Sequence, residues 1–262
     1  MRALSIALLL STTLAFAQLG APTQPATGFQ RTFTLGAQSY GPALSGHFNG
    51  VQDGKSFDVD LKSDLGLGKD KSTPGFFLDY QGPRFGFQVT SGAAEYRGNQ
   101  MVNRNVTLDG TTYPVGTQVR SHMKLATVDG TWTIKLATEA NAWIGLDLGA
   151  QVWTVDMDAA DSSGARLANT QVKAPIPQIG LSGGSRGYNG AVESKLYYHY
   201  LAYKKAKYTL YGLDLRIFPV RWFGLRAFYE AGKLDVPKGS LKDDLELQLD
   251  RKGLGFGAVL RF

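Results

Sequence analysis

Residues 253–262 read Gly-Leu-Gly-Phe-Gly-Ala-Val-Leu-Arg-Phe, and the chain ends on this aromatic residue. Its larger apolar side chains fall on every second position, so they share one face of a strand. The opposite face is small except at Val259 and Arg261. A soluble strand that packs on a core and a membrane strand that faces lipid both fit this pattern. The rest of the sequence must distinguish a soluble core strand from a membrane strand.

The N-terminus predicts export. Met1 and Arg2 precede an apolar run over residues 3–10, and Ala15-Phe16-Ala17 provides a small-x-small cleavage site. We therefore predict a signal peptide over residues 1–17 and a lead-in over 18–28. The run is too short for a spanning helix, and no later stretch reaches the roughly 18 apolar residues that such a helix needs.

Composition fits a membrane barrel. The chain has no cysteine, so an exported fold must rely on hydrogen-bond ladders and packing. Its hydrophobic content is 43% and its mean hydropathy is −0.16, an average that alternating lipid-facing and lumen-facing residues produce. The net charge of +6 is moderate, and no basic run interleaved with aromatic residues indicates nucleic-acid binding. Anionic lipid is the more natural partner for this charge.

Segments of period-2 alternation recur along the mature chain and are separated by turn residues. We predict strands over 29–37, 75–80, 84–95, 118–136, 141–156, 176–183, 191–203, 207–218, 222–236 and 245–262. Long links near 38–73, 97–117, 157–173 and 237–245 alternate with short turns, except for a short link at 204–206. This alternation is typical of transmembrane barrels with long outer loops. The prediction is an all-β, closed antiparallel barrel of about ten strands over 29–262, with eight strands as an alternative.

If apolar residues face lipid, the opposite parity faces the lumen. The inward polar residues predicted in this way are Asp79, Asp147, Glu193, Lys195, His199, Asp214, Arg216, Arg226, Glu230 and Arg261. Acids and bases nearly balance, and unpaired charges in a confined interior are costly. The lumen is therefore predicted to hold either a salt-bridged plug or a narrow polar path, since ten strands enclose little more than side chains.

The sequence predicts no catalytic site. The expected topology places His122 and His199 near the outer rim, where outer-membrane proteases and lipid A deacylases hold their catalytic groups. Ser121 adjoins His122, but neighbours on a strand point to opposite faces and cannot pair without a bulge. We predict no enzyme, with a rim-active hydrolase as the alternative. No cofactor motif occurs.

The acidic stretch 56–67 admits a calcium loop, but it lacks the glycine and the final glutamate of an EF-hand. A short strand within the loop is the default prediction for this stretch, and no metal site is predicted.

The last eight residues resemble the C-terminal signature by which bacterial outer-membrane barrels are recognised for assembly, with Gly257, Leu260 and Phe262 at its marked positions. Gly255 departs from the polar residue that is usual there. Residues 58–67 also resemble a segment of small barrel proteins of Gram-negative envelopes. The resemblance implies a cell outer-membrane location, contact with outer-membrane lipid and lipopolysaccharide, and the barrel assembly machinery as a partner.

The function predicted from these features is an envelope structural protein or a narrow small-solute pore. An adhesive or partner-binding barrel that acts through 38–73 is a further alternative.

Overall fold

The computed structural model describes residues 31–52, 54–164, 167–203, 205–239 and 245–262. The predicted signal peptide, the lead-in and the start of the first predicted strand lie outside the described residues. Fifteen strands form one antiparallel sheet. They are β1 (Thr32–Tyr40), β2 (Ala43–Gln52), β3 (Lys55–Asp60), β4 (Gly68–Thr73), β5 (Gly75–Gln81), β6 (Phe85–Met101), β7 (Val106–Leu108), β8 (Thr111–Tyr113), β9 (Gln118–Thr138), β10 (Ala142–Asp161), β11 (Leu167–Gly187), β12 (Val192–Tyr203), β13 (Ala206–Val220), β14 (Phe223–Val236) and β15 (Leu245–Arg261).

Ten of these strands close into a barrel. The ring follows β1, β5, β6, β9, β10, β11, β12, β13, β14 and β15, and β15 pairs with β1. The predicted closed antiparallel barrel of ten strands is thus confirmed. Each ring strand has a neighbour on both sides, so the ladder leaves no open edge in the ring.

The strands are tilted because the register is staggered. Following cross-strand partners from Phe33 on β1 around the ring leads to Asp250 on β15 and then to Ser45 on β2, twelve residues further along the chain. This stagger corresponds to a strand tilt of about 40° from the barrel axis. We call the end that holds Phe262 and the short turns the inner end, and the opposite end the outer end.

The stretch 38–73 differs from the predicted single loop because much of it belongs to the wall. β2 continues β1 outward and pairs with the outer half of β15, while β4 pairs with β6. These pairings are far apart in sequence, so the local pattern did not reveal them. Deleting 38–73 would remove wall strands.

A small sheet crosses the outer mouth of the barrel. β3 pairs with β2, β7 with β3, and β8 with β7. On the far side, the Tyr113 hydroxyl donates to the Ala159 carbonyl at 2.8 Å, and the Thr111 hydroxyl donates to the Leu167 carbonyl at 3.2 Å. We refer to residues 55–67 and 104–113 as the lid.

The wall between β10 and β11 rises further than predicted. Residues 157–161 and 167–173 were predicted as loop, yet they are paired strand. Outward amides and carboxylates bond across this hairpin, Gln171 to Asp156 and Asn169 to Asp158. The outward side chains are polar here because the two strands continue beyond the apolar band of the wall. A polar stretch of this kind has the composition of a loop, which is why the sequence predicts one.

The outer surface of the wall is apolar above a belt of aromatic residues at the inner end. Phe33 packs near Phe262 with ring centroids 6.4 Å apart, and Phe85 packs near Trp132 at 6.0 Å. Higher on the wall, Val128 is 49% exposed and Leu254 is 61% exposed, large exposures for aliphatic side chains on strands. Exposed apolar side chains above an aromatic belt are typical of a lipid-facing barrel surface. Among the described residues, no helix is long and apolar enough to cross a membrane.

Candidate functional site: the barrel lumen

The lumen contains layers of different chemistry from the inner end to the lid. Near the inner end lies a network of alternating charges. Asp79 on β5 accepts from Arg216 Nη1 on β13 at 2.7 Å, although the two strands lie four places apart in the ring. Arg216 also contacts Glu193 Oε2 at 3.6 Å and Asp214 Oδ2 at 3.2 Å. The network therefore fills the bore from one wall to another.

Three further arginines complete this charge layer. Arg226 donates from Nε to Asp214 Oδ2 at 2.9 Å and from Nη1 to Gln38. Arg186 Nε and Arg261 Nη1 both reach Glu193 Oε1, at 2.9 Å and 3.3 Å. Buried charges that are paired and hydrogen-bonded in this way avoid most of the cost of an isolated buried ion.

Aromatic rings close the remaining space around the arginines. The guanidinium carbons of Arg216 and Arg226 lie 4.6 Å and 4.1 Å from the centroid of the Phe77 ring. Arg226 lies at the same 4.1 Å from Phe228. A planar guanidinium stacked on a ring gains electrostatic attraction and excludes water.

Above the charge layer, a polar chain links four neighbouring strands. Asp147 on β10 accepts from Thr133 at 2.6 Å and from Ser182 at 2.7 Å. Its second oxygen lies 2.9 Å from His199 Nε2 on β12. The other ring nitrogen, Nδ1, lies 3.2 Å from Gln178 Oε1 on β11.

The Gln178 amide extends this chain to a second carboxylate. Its Nε2 donates to Asp129 Oδ2 at 2.5 Å, and its Oε1 faces His199. His199 and Gln178 therefore connect Asp147 on β10 with Asp129 on β9 through β12 and β11.

Two small cavities flank Lys195. One, of about 30 Å³, is lined by Asp129, His199, Glu230 and other residues of the middle layers; the second, of about 20 Å³, lies beside Asp79 and Arg216. Since one water molecule needs roughly 10–15 Å³, these spaces suit one or two waters each. Neither has room for a larger solute.

The outer half of the lumen is mainly apolar. One arginine enters it: Arg251 lies over the Trp153 ring at 4.9 Å and donates to Gln151 Oε1 at 3.1 Å. Above this point the inward side chains of the wall are aliphatic or thioether groups and are almost completely buried. They include Met123, Leu125, Met157, Leu234, Val236 and Leu249.

The lid places its own apolar side chains on this layer. Val59, Leu65, Val106, Leu108 and Tyr113 are each 0% exposed. Burying one such side chain contributes about 1.5–3 kcal/mol, so lifting the lid would expose groups worth roughly 10 kcal/mol. Spontaneous opening on that scale is very rare. The lid is therefore a plug.

Charged groups hold the polar edge of the lid. Arg104 pairs with Asp64 through Nη2 and with Asp58 at 2.8 Å, and Lys55 pairs with Asp109 at 2.9 Å. The hydrogen bond to Asp64 is the main cause that raises the pKa of the Arg104 guanidinium. These contacts join β3 and the 61–67 turn to the residues on either side of β7.

Asp60 fixes the turn itself. Its Oδ1 accepts from the backbone amides of Lys62 at 2.9 Å and Ser63 at 2.6 Å. Partial burial acts to raise the pKa of Asp60, but the hydrogen bonds from Ser63 and Lys62 outweigh it, and the pKa lies below its usual value. The acidic stretch thus serves the lid, and no cluster of three metal-ligating groups occurs among the described residues.

The structure places the ten residues predicted to face the lumen inside the barrel. Eight are less than 9% exposed, while Glu230 and Arg261 are partly exposed. His199 corrects one expectation. It was placed near the outer rim, but it lies buried in the middle of the lumen because β12 continues four residues beyond it.

Ser121 and His122 point to opposite sides of β9. The Ser121 hydroxyl donates to the Leu65 carbonyl at 2.9 Å beneath the lid, whereas His122 lies on the outer surface. There it is 3.8 Å from Glu95 and 3.8 Å from Asp158. The two residues form no nucleophile–base pair.

Sequence reasoning missed the apolar outer half of the lumen. It assumed a polar inward face along every strand. The available signal was a switch of the apolar parity along β9, from the even positions Trp132 and Ile134 to the odd positions Met123 and Leu125, together with the alternation Phe57, Val59, Leu61 in the presumed loop. Since side chains alternate between the two faces of a strand, this switch means that the apolar face changes from the outside to the inside of the barrel.

The ring, its tilt and its apolar outer surface define a transmembrane β-barrel with a filled lumen. No protein-family model matches the chain, and no curated protein is similar to it in sequence. Solved structures similar to it include the translocator domain of the autotransporter NalP from Neisseria meningitidis, at 8% identity, covering 100% of this chain and 96% of that one, with a TM-score of 0.41.

The attachment invasion locus protein Ail of Yersinia pestis, solved with the heparin analogue sucrose octasulfate, is 13% identical over 88% of this chain and 97% of its own, with a TM-score of 0.30. The Pseudomonas putida toluene transporter TodX is 10% identical over 92% and 90%, with a TM-score of 0.28. These neighbours are bacterial outer-membrane barrels. Similarity at this level says nothing about activity, and the fold assignment rests on the closed ring itself.

Proposed function

We propose that this protein is an outer-membrane barrel with a lumen closed to solutes, and that it serves as a structural component of the envelope. The observation that carries the proposal is the double filling of the bore. The charge layer joins opposite walls near the inner end, and the apolar lid covers the outer end. Of the two functions that the sequence predicts, a structural protein fits this filling better than a narrow pore.

Outer-membrane location is supported by the exposed apolar wall and the aromatic belt. The cell-fractionation test uses the full chain with its N-terminal segment. We expect the protein in the outer-membrane fraction, where detergent is needed to extract it. Recovery as a soluble periplasmic species would contradict this location.

Electrical recording tests whether the lumen is closed. Purified barrel is incorporated into planar bilayers, with a sixteen-stranded porin at the same protein-to-lipid ratio as a positive control. We expect no step conductance from this barrel in 1 M KCl. Regular single-channel steps would show a solute path and would favour the pore.

The proposal includes no enzymatic role. Its support is the separation of Ser121 and His122 on opposite faces of β9 and the enclosure of His199. Lipid A and peptide cleavage are measured with the parent protein and with His122→Ala. Cleavage by the parent that His122→Ala abolishes would support a rim-active hydrolase instead.

Assembly by the barrel assembly machinery is proposed through Gly257, Leu260 and Phe262. The side chains of Leu260 and Phe262 are exposed on the inner-end surface, the latter at 73%. Phe262→Ala is expected to lower the amount of assembled barrel in cells, while Phe256→Ala, which also removes an exposed phenyl ring from β15, serves as the matched control. Equal assembly of both variants and the parent would contradict the role of this signature.

A further inference from the structure

Six lysines on the outside of the wall have no ion-pair partner. All six are exposed, and within the described residues none has a carboxylate oxygen within 4.0 Å. This contrasts with Lys55, Arg97 and Arg104 nearby, each of which is paired. The six are Lys71, Lys124, Lys173, Lys207, Lys233 and Lys252.

The register places these lysines at nearly one height on the barrel. A stagger of twelve residues over ten strands means that positions of equal height are displaced from hydrogen-bonded partners by about 1.2 residues per strand. Lys233 on β14 pairs with Thr209 on β13 and with Asp250 on β15. When this displacement is applied, Lys207 and Lys252 each lie within about one residue of the height of Lys233 on the barrel axis.

The same correction for stagger gives the heights of the other three lysines. Lys71 on β4 lies within about one residue of this height, and Lys124 on β9 and Lys173 on β11 lie roughly two residues above it. At about 2.5 Å of axial rise per residue, the six occupy a band roughly 8 Å high. We call this set the lysine girdle.

The girdle lies one membrane thickness above the aromatic belt. Lys233 and Phe223 are ten residues apart on β14, and Lys252 and Phe262 are ten residues apart in sequence at the end of the chain. Ten residues at a tilt of about 40° rise roughly 25 Å, which is the height of the apolar band of outer-membrane barrels. The ammonium groups therefore stand at the outer boundary of the hydrocarbon layer.

The surroundings of the girdle suit a headgroup. Tyr198, Tyr200 and Tyr211 lie just below it and are 48%, 40% and 50% exposed. Four acids stand opposite members of the girdle in the register: Glu95 beside Lys71 and Lys124, Asp156 beside Lys124, Asp235 beside Lys207, and Asp250 beside Lys233. The six lysines outnumber these four acids, while Asp70 is neutralised by Arg97 at 3.1 Å. The band thus carries an excess of unpaired positive charge.

We propose that the lysine girdle binds the phosphate groups of an anionic phosphorylated glycolipid in the outer leaflet of the membrane. The inference rests on the proposed outer-membrane location. Lysine presents a compact charge on a flexible stem, which lies along apolar surface while the ammonium reaches the headgroup. Tyrosine hydroxyls at the same boundary supply donors for phosphate or sugar oxygens.

The test measures lipid retention by the detergent-purified barrel. The full chain is incubated with mixed micelles of diphosphoryl lipid A or of its dephosphorylated form, and the bound lipid is counted by native mass spectrometry. The triple variant Lys207→Gln, Lys233→Gln, Lys252→Gln removes three adjacent members of the girdle. The control variant Lys55→Gln, Lys62→Gln, Lys238→Gln removes the same charge from the lid and an outer loop.

We expect the parent and the control variant to retain diphosphoryl lipid A at least about tenfold better than the girdle variant, because each lysine near an anionic surface contributes appreciably. The dephosphorylated form should be retained weakly by all three. Replacing the same lysines by arginine should preserve retention, which separates a charge effect from misfolding. Equal retention by the girdle and control variants, or equal retention of the two lipids, would overturn the proposal.

The outcome is distinguishable from failure of the proposed function. A barrel that is recovered in the outer membrane and does not conduct, yet shows no phosphate-dependent retention, refutes only the girdle. A barrel that retains phosphorylated lipid but conducts refutes only the closed lumen.

Discussion

Neutralising Asp214 is expected to be among the most destabilising single changes in the barrel. Asp214 is 1% exposed and accepts from Arg226 Nε and Nη2, both at 2.9 Å, and from Arg216 Nη2 at 3.2 Å. Arg216 keeps Asp79 in the Asp214→Asn variant. Arg226 loses the carboxylate with which it pairs among the described residues, while it remains buried against two phenyl rings.

The magnitude follows from the cost of an uncompensated buried charge. Breaking a buried ion pair by removing one partner costs about 3–5 kcal/mol. The asparagine oxygen still accepts one hydrogen bond, which offsets about 1 kcal/mol. We therefore expect Asp214→Asn to lower the free energy of unfolding by roughly 2–4 kcal/mol. Asp235→Asn, on the outer surface of β14, should change it by no more than about 0.5 kcal/mol.

The assay is urea-dependent unfolding in lipid vesicles, followed by tryptophan fluorescence and by the mobility shift of the folded barrel on gels. Both variants are compared at one lipid composition. A loss below about 1 kcal/mol for Asp214→Asn would refute the claim that the charge layer is dry and closely paired.

Three further expectations concern the lid and the polar chain. Leu65→Ala should cost about 2–5 kcal/mol in the same unfolding assay, because the side chain is fully buried beneath the lid; a cost near zero would show that the lid is loosely packed. His199→Ala should cost about 1–3 kcal/mol in that assay, because Asp147 Oδ2 loses its hydrogen-bond partner while it stays buried; no measurable cost would contradict the assigned hydrogen bond. The depressed pKa of Asp60 means that its contribution to lid stability is complete above the unfolded value, about 3.9, and is lost as pH falls through the lower folded value. Titration of the Ser63 amide resonance should accordingly have its midpoint below pH 3.9, and a midpoint at or above that value would contradict the Asp60 hydrogen bonds.

The wall of the barrel could be predicted because its signal is local. Period-2 alternation on β13 and β14 fixes both the strand and the face, so Asp214 and Arg226 were assigned to the lumen without knowledge of their neighbours. The ion pairs across the lumen could not be predicted, because residues such as Asp79 and Arg216 come together only when the ring closes.

The lid could not be predicted for a related reason. β3 and β7 are short and pair at one position, Asp58 with Thr107, across a separation of 49 residues. The sequence predicts a short strand within 56–67, where β3 lies, but nothing in the local pattern shows that this strand pairs with residues near 107 or covers the barrel mouth. The inward side chains at the outer ends of β9 and β13 form an apolar surface on which the apolar side of the lid packs. This surface exists only when the ring is closed, so the sequence pattern of single strands does not reveal it.

Single-cysteine labelling tests the filled lumen most directly, since the chain has no cysteine of its own. Leu210→Cys places a thiol beneath the lid, where the native side chain is 1% exposed, and Val115→Cys places one on the outer surface, where it is 63% exposed. Both variants are reconstituted and treated with a charged thiol reagent on both sides of the membrane. The closed barrel predicts rapid modification at position 115 and none at position 210 over the same period. Modification of position 210 at a comparable rate would show that water and solutes reach the lumen, and would contradict the account.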